Sequence, residues 1–159
     1  MQLNDVEREI PKKVGNNSLK PYRDDKLLYK NKLIENIEKV IEKTNLKNGM
    51  TISFHHHFRD GDILLNKVLD IISKKNIKNL TLVATSLRNI HEPIINHIKN
   101  NVIRKIYTSG LRGKIGREIQ NGILDEPVII YSHGGRAGAI ETGKIEIDVA
   151  FIAASSADS

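Results

Sequence analysis

Five short runs rich in aliphatic and β-branched residues punctuate the second two thirds of this chain: MTISF (50–54), NLTLVAT (79–85), VIRKIYT (102–108), PVIIYS (127–132) and IDVAFIAA (147–154). Helical periods or glycine-rich turns separate them. Strands spaced by helix-length connections pair in parallel, because only a crossover of that length can return the chain to the same edge. The expected fold class is therefore α/β: an open, mostly parallel sheet with flanking helices. The last run is almost continuously apolar, as expected of a strand covered on both faces.

The connecting segments fit this scheme. Over residues 26–44, Leu33, Ile37, Val40 and Ile41 recur on one helical face, and Asn48-Gly49 closes the region as a turn. Asp62 is placed to N-cap a helix reaching about Lys75, with Leu64, Val68, Ile71 and Ile72 facing inward. A helix is expected around 88–100, with Pro93 tolerated near its start. SGLRGKIGREIQNG (109–122) reads as a glycine-rich loop opening a short helix, and 138–143 as a turn or short helix. Residues 1–25 carry Pro11, Gly15 and Pro21 among charges and read as an irregular arm, leaving 26–159 as one domain. The chain stops just after its most buried-looking strand, so it is expected to be an incomplete piece of a longer polypeptide.

Composition excludes several functions. The 159 residues suffice for one real core, and with only 4% aromatics and no Trp that core must be mainly Ile, Leu and Val. The absence of Cys removes disulfides, thiol nucleophiles and thiolate metal sites, and a reducing cytoplasm fits. No run approaches the ~20 apolar residues of a membrane span, and the start MQLNDVEREI reads as acidic and polar where a signal peptide is expected to be basic and then apolar. A net charge of +6 favours anionic partners, but no nucleic-acid-binding motif accompanies it.

In parallel sheets ligands gather at the carboxyl ends of strands, where the unusual residues of this chain fall. TISFHHHFRDGD (51–62) runs a strand into His55, His56 and His57, which are expected to be catalytic. Successive strand residues point to opposite faces, so three histidines suit a loop whose imidazoles and N–H groups meet a carboxylate or developing oxyanion. A metal site and a merely satisfied strand end are the other readings. Adjacent histidines rarely chelate together, and no metal is expected. Phe58 and Arg59 follow, the latter a fork for carboxylate or phosphate, or a surface Arg paired with Asp60 or Asp62. Ser109 and Gly110 open the glycine-rich loop, in which Arg112 adds charge. His133, Gly134, Gly135 and Arg136 follow the fourth strand, where a Gly pair marks either a close backbone approach or a sharp turn. Ser155, Ser156 and Asp158 could belong to a hydrolase, but no GxSxG elbow exists.

Taken in order, TISFHHHFRDGD, SGLRGKIG and SHGGRAGAIETGKIEIDVAFIAASSAD resemble the citrate lyase alpha subunit family, the citrate CoA-transferases, from about residue 26 onward. The resemblance implies a CoA-transferase-like fold of two open α/β halves, of which this chain would be one truncated half. It implies an exchange in which the acetyl thioester of an acyl carrier (gamma) subunit and citrate give citryl carrier and acetate, within a complex that also holds a beta subunit. The dephospho-CoA-derived prosthetic group of the carrier, or CoA, would be a substrate, with nothing bound covalently to this chain. His55, His56 and His57 would belong to a strand-to-helix oxyanion loop. Phe58, Arg59, Ser109, Gly110, Arg112, His133, Gly134, Gly135 and Arg136 would line the substrate and CoA site. Three alternatives stay open: a citramalate lyase alpha subunit, a sugar-phosphate sensor or isomerase on a related sheet, and a non-catalytic assembly module. The fragment alone is expected to be inactive.

Overall fold

The computed structural model describes residues 34–55 and 58–154; the 1–25 arm, most of the N-terminal half of the 26–44 helix, His56, His57 and the SSADS end lie outside the described residues. Within them the chain forms a five-stranded, wholly parallel sheet of order β4-β3-β2-β1-β5. The strands are β1 (Thr51–His55), β2 (Leu80–Ala84), β3 (Ile103–Thr108), β4 (Ile129–Ile130) and β5 (Val149–Ile152). The helices are α1 (Ile37–Lys43), α2 (Leu64–Lys74), α3 (Ile94–Lys99), α4 (Gly113–Gln120) and α5 (His133–Glu141), with 3-10 turns at Arg59–Gly61 and Asn89–His91. Among the described residues, no helix is long and apolar enough to cross a membrane.

One face of the sheet carries the main core. Ile52, Phe54, Leu80, Leu82, Ala84, Ile103 and Ile106 pack there against α1 to α4. Helix α2 shows why: Leu65, Val68, Leu69 and Ile72 recur at i, i+3, i+4 and i+7 and are all fully buried. The inward stripe thus runs one residue from the expected Leu64 and Ile71, which flank it partly buried. Each such aliphatic side chain stabilises the fold by roughly 1.5–3 kcal/mol relative to exposure. The opposite face holds a smaller cluster, in which Val83 of β2 meets Ala139 of α5 and Ile145. The chain therefore steps from β1 through β4 in one direction and returns through α5, on the other face, to place β5 beside β1. Strand order reverses between β1 and β5, and His55 lies opposite Ile152 at that point.

Local chemistry sets the helix ends. Asn36 caps α1, its side chain accepting from the Lys39 N–H at 2.9 Å, and Ser132 caps α5 by accepting from the Gly135 N–H at 3.0 Å. Asp62 accepts from the Leu64 N–H at 3.3 Å, so it caps α2 from just outside. Left-handed residues end the helices: Asn45, Asn76, Asn101, Gly122 and Gly143 all have positive φ. At Asn76, Asn101 and Gly122 the next residue (Ile77, Val102, Ile123) donates its N–H to the carbonyl five back (Ile72, His97, Glu118). This paired closure, with an apolar residue after the left-handed one, is the Schellman motif.

Four expectations are corrected. The single helix of 88–100 is split by Pro93 into a 3-10 turn and α3, since proline lacks the N–H to continue a helix inward. The strand of 127–132 shortens to two residues, as β4 pairs on one side only. SHGGRAG is the start of helix α5 and not a loop or sharp turn, because Ser132 caps it despite two glycines. Finally, among the described residues β5 is not covered on both faces: it pairs only with β1 at the edge of the sheet, and Ile152 is 72% exposed.

Candidate functional site

The segments after β1, β2, β3 and β4 emerge at the carboxyl edge of the sheet. Among the described residues, those after β1, β2 and β3 meet there. β4 lies three strands from β1, roughly 14 Å at the usual strand spacing, so the His133 segment stands apart from the His55 segment. His55 ends β1, exposed and opposite Ile152, whereas His56 and His57 lie outside the described residues. Phe58 is exposed beside Ile63 and Ala153. Arg59 begins the following 3-10 turn, and its side chain lies outside the described residues.

Ser109 and Gly110 are built into the junction between the β2 and β3 exits. The Ser109 N–H donates to Thr85 O at 2.9 Å, and Gly110 O accepts from the Leu87 N–H at 2.9 Å. Leu87 O in turn accepts from the Arg112 N–H, also at 2.9 Å. Ser109 Oγ is buried without a hydrogen-bond partner among the described residues. Gly110 has room for a side chain; the position that demands glycine is Gly113, at φ +71°. A Cβ there would stand 1.6 Å from Asn89 Oδ1. The glycine-rich loop therefore serves close packing of Asn89 over the start of α4.

On α5, His133, Gly134 and Gly135 are exposed in the first turn. No foreign backbone approaches Gly134 or Gly135: the nearest atom to a Cβ at Gly135 would be its own cap, Ser132 Oγ, at 3.0 Å. Arg136 is different. It is half-buried, its Nε is buried without a hydrogen-bond partner, and burial pushes its pKa below the ordinary arginine value. No carboxylate among the described residues pairs with it.

Sequence reasoning missed Arg88 and gave Asp60 only as a partner for Arg59. Asp60, in the turn after the His run, is held by Arg88, in the loop after β2: Arg88 Nε lies 3.0 Å from Asp60 Oδ1 and Nη2 lies 3.3 Å from Oδ2. The two 3-10 turns touch, and between them Asp60, Arg88, Asn89, Ile90, Arg112 and Gly113 line a cleft of about 300 Å³. The only signal for Arg88 in the sequence was its place two residues past Thr85-Ser86, at the end of the NLTLVAT run. Among the described residues, no three His, Asp or Glu side chains are grouped to hold a metal ion.

Comparison with known proteins identifies the family of the chain. A profile of the citrate lyase alpha subunit matches residues 30–159. The chain is 50% identical over 127 residues to the citrate lyase alpha chain of Escherichia coli K12, covering 80% of this chain and 25% of that one. It is 51% identical over 121 residues to the Klebsiella pneumoniae citrate lyase alpha chain, covering 76% and 24%. A Streptococcus mutans crystal structure, described as the alpha subunit of citrate lyase in complex with citrate, superposes with a TM-score of 0.76 at 54% identity, over 84% of this chain and 25% of that one. The chain thus spans about a quarter of the length of these relatives, and it belongs to the citrate lyase alpha subunit family.

Proposed function

We propose that this chain supplies part of a citrate CoA-transferase site, in which citrate replaces the acetyl group of a carrier-protein thioester and acetate leaves. The observation that carries the reading is the row of arginines at the carboxyl edge: Arg88 after β2, Arg112 after β3 and Arg136 after β4. Citrate carries about three negative charges at neutral pH, and guanidinium forks match carboxylates in shape and charge. The reaction needs orientation and a place for the oxyanion more than acid–base help, because the attacking carboxylate is already a nucleophile. His55, at the end of β1 and at the point where strand order reverses, stands where such a substrate would be oriented. Arg136, half-buried without a carboxylate, suits an anion brought by the substrate or by the CoA-type prosthetic group. The carrier and beta subunits of citrate lyase, CoA or its dephospho derivative, and a cytoplasmic location belong to the same proposal.

The test is acetate release from acetyl-CoA on addition of citrate, using the protein that carries this chain at its full coding length. Citrate-dependent release supports the transferase. Its absence in folded protein, with citramalate also inert, removes the proposal.

A further inference from the structure

We propose that the cleft between the β2 and β3 exits is a carboxylate-binding subsite in which Arg88 and Arg112 grip one carboxylate of the acceptor acid, with Asp60 as the positioning residue for Arg88; the assignment of citrate as that acid rests on the function proposed above. A guanidinium offers five N–H donors in a rigid plane. Asp60 engages Arg88 side-on, through Nε and Nη2, which leaves Nη1 and the second Nη2 hydrogen for a ligand. The same contact ties Arg88 to the turn that follows the His run and favours one orientation of the guanidinium. Arg112 comes from the opposite wall, extended at φ −138° and ψ 155° as the N-cap residue of α4. Gly113 lets the Asn89 amide close the floor.

Charge and size select the ligand. Two arginines and one aspartate leave the cleft one positive charge, which matches a single carboxylate and undercompensates a phosphate dianion. A volume of about 300 Å³ lies at the small end of ligand pockets and suits one arm of an organic acid. Arg88 is about one third exposed, so a ligand reaches it without unfolding the loop. Asp60 is mostly exposed, and its pairing with Arg88 as such adds little stability. The value of the contact is the orientation it gives to the guanidinium.

The experiment measures citrate binding by calorimetry, and citrate and acetyl-CoA KM in the exchange assay, on the full-length protein and its Arg88→Ala, Arg88→Lys and Asp60→Asn variants. Charge-assisted hydrogen bonds of this kind set the scale: Arg88→Ala is expected to weaken citrate about tenfold or more while acetyl-CoA KM holds. Arg88→Lys keeps the charge, loses the fork and is expected to recover little. Millimolar guanidinium chloride, far below denaturing levels, is expected to restore citrate use to Arg88→Ala and not to wild type, a rescue that a purely structural role would not permit. Asp60→Asn is expected to raise citrate KM a few-fold with kcat unchanged. Unaltered citrate affinity in Arg88→Ala, with denaturation showing it folded, overturns the subsite. A loss confined to acetyl-CoA or to inorganic phosphate competition also overturns it, since the cleft would then read phosphate. Tighter citrate binding in Asp60→Asn overturns the positioning role and makes Asp60 a competitor. Citrate binding that depends on Arg88 without any exchange sinks the transferase and leaves the subsite standing.

Discussion

Replacing Phe54 by leucine asks how the last strand is held to the sheet. Phe54 is 1% exposed and stacks on Phe151, ring centroids 5.2 Å apart and planes 14° from parallel. The two are register partners on β1 and β5. Among the described residues β5 pairs only with β1, so this stack and the ladder beside it hold the strand to the sheet. Truncation to alanine would leave a cavity worth about 3–5 kcal/mol, enough to threaten the whole domain and blur the question. Leucine keeps the sequence apolar and much of the volume. It should cost about 1–1.5 kcal/mol for the changed shape and about 0.5–1.5 kcal/mol for the lost aromatic pair. Urea unfolding of Phe54→Leu, Phe151→Leu and the double variant isolates the pair, and the coupling should be about 0.5–1.5 kcal/mol. Hydrogen exchange should then show the β5 amides losing protection well before those of β2, which is bonded on both sides. A coupling under about 0.3 kcal/mol, within the scatter of independent sites, or an equal loss in β2 and β5, would refute the view that β5 depends on this contact.

Further outcomes follow from particular contacts. Gly113→Ala should destabilise the protein by more than about 1 kcal/mol, from the positive φ and from Asn89 Oδ1 at 1.6 Å; adding Asn89→Ala should relieve the collision and leave only the backbone strain, measured as a partial return of the urea midpoint. Asn76→Gly should be neutral or slightly stabilising and Asn76→Ala should cost about 1 kcal/mol, since the residue closes α2 at φ +57°. His97 is buried, its Nε2 lies 3.2 Å from Asp70 Oδ1, and burial, only partly offset by Asp70, lowers its pKa. A depressed pKa on a base means the unfolded chain takes up the proton first, so the contribution is full above the unfolded value of about 6.5 and is lost as pH falls below it; wild type minus His97→Gln should show that loss in unfolding midpoints between pH 7 and 5, and a flat difference would exclude it. Asp148→Ala should fray the start of β5, because Asp148 Oδ2 accepts from the Thr51 N–H at 2.7 Å while its own N–H donates to Thr51 O at 3.1 Å.

The strands and their parallel pairing were legible because Ile, Val and Leu runs of strand length alternate with helical periods, and nothing competes with that reading. The helix ends were equally written in the chain, as Asn76-Ile77, Asn101-Val102 and Gly122-Ile123, yet only Asn48-Gly49 drew notice. An asparagine before an aliphatic residue looks like a strand start as readily as a helix stop, and here it is both. The α5 start was hidden for a physical reason: two glycines cost helix propensity, and only the cap at Ser132 with the burial of Ala139 tips the balance. Arg88 was illegible because its importance comes from Asp60, twenty-eight residues away in sequence, and a tertiary ion pair leaves no periodic trace.

The edge position of β5 carries the sharper lesson. Binary pattern reads the environment a strand requires, and VAFI requires cover on both faces. Pairing order is set instead by which connection crosses which face, and α5 crosses the face opposite α2, α3 and α4. The same crossing that puts β5 at the edge puts its carboxyl end beside that of β1, where His55 meets Ile152. Had α5 packed with the other helices, the next strand would have joined the β4 side, and the histidine run would sit at an edge with no reversal of strand order beside it. The location of the candidate site therefore depends on α5 choosing its face, through Ala139 and Ile140 against Val83 and Tyr107. A charge placed at Ala139 should consequently disturb the His55 segment, three strands earlier in the sequence, as much as it disturbs α5 itself; chemical-shift changes confined to α5 would show that the two are not coupled in this way.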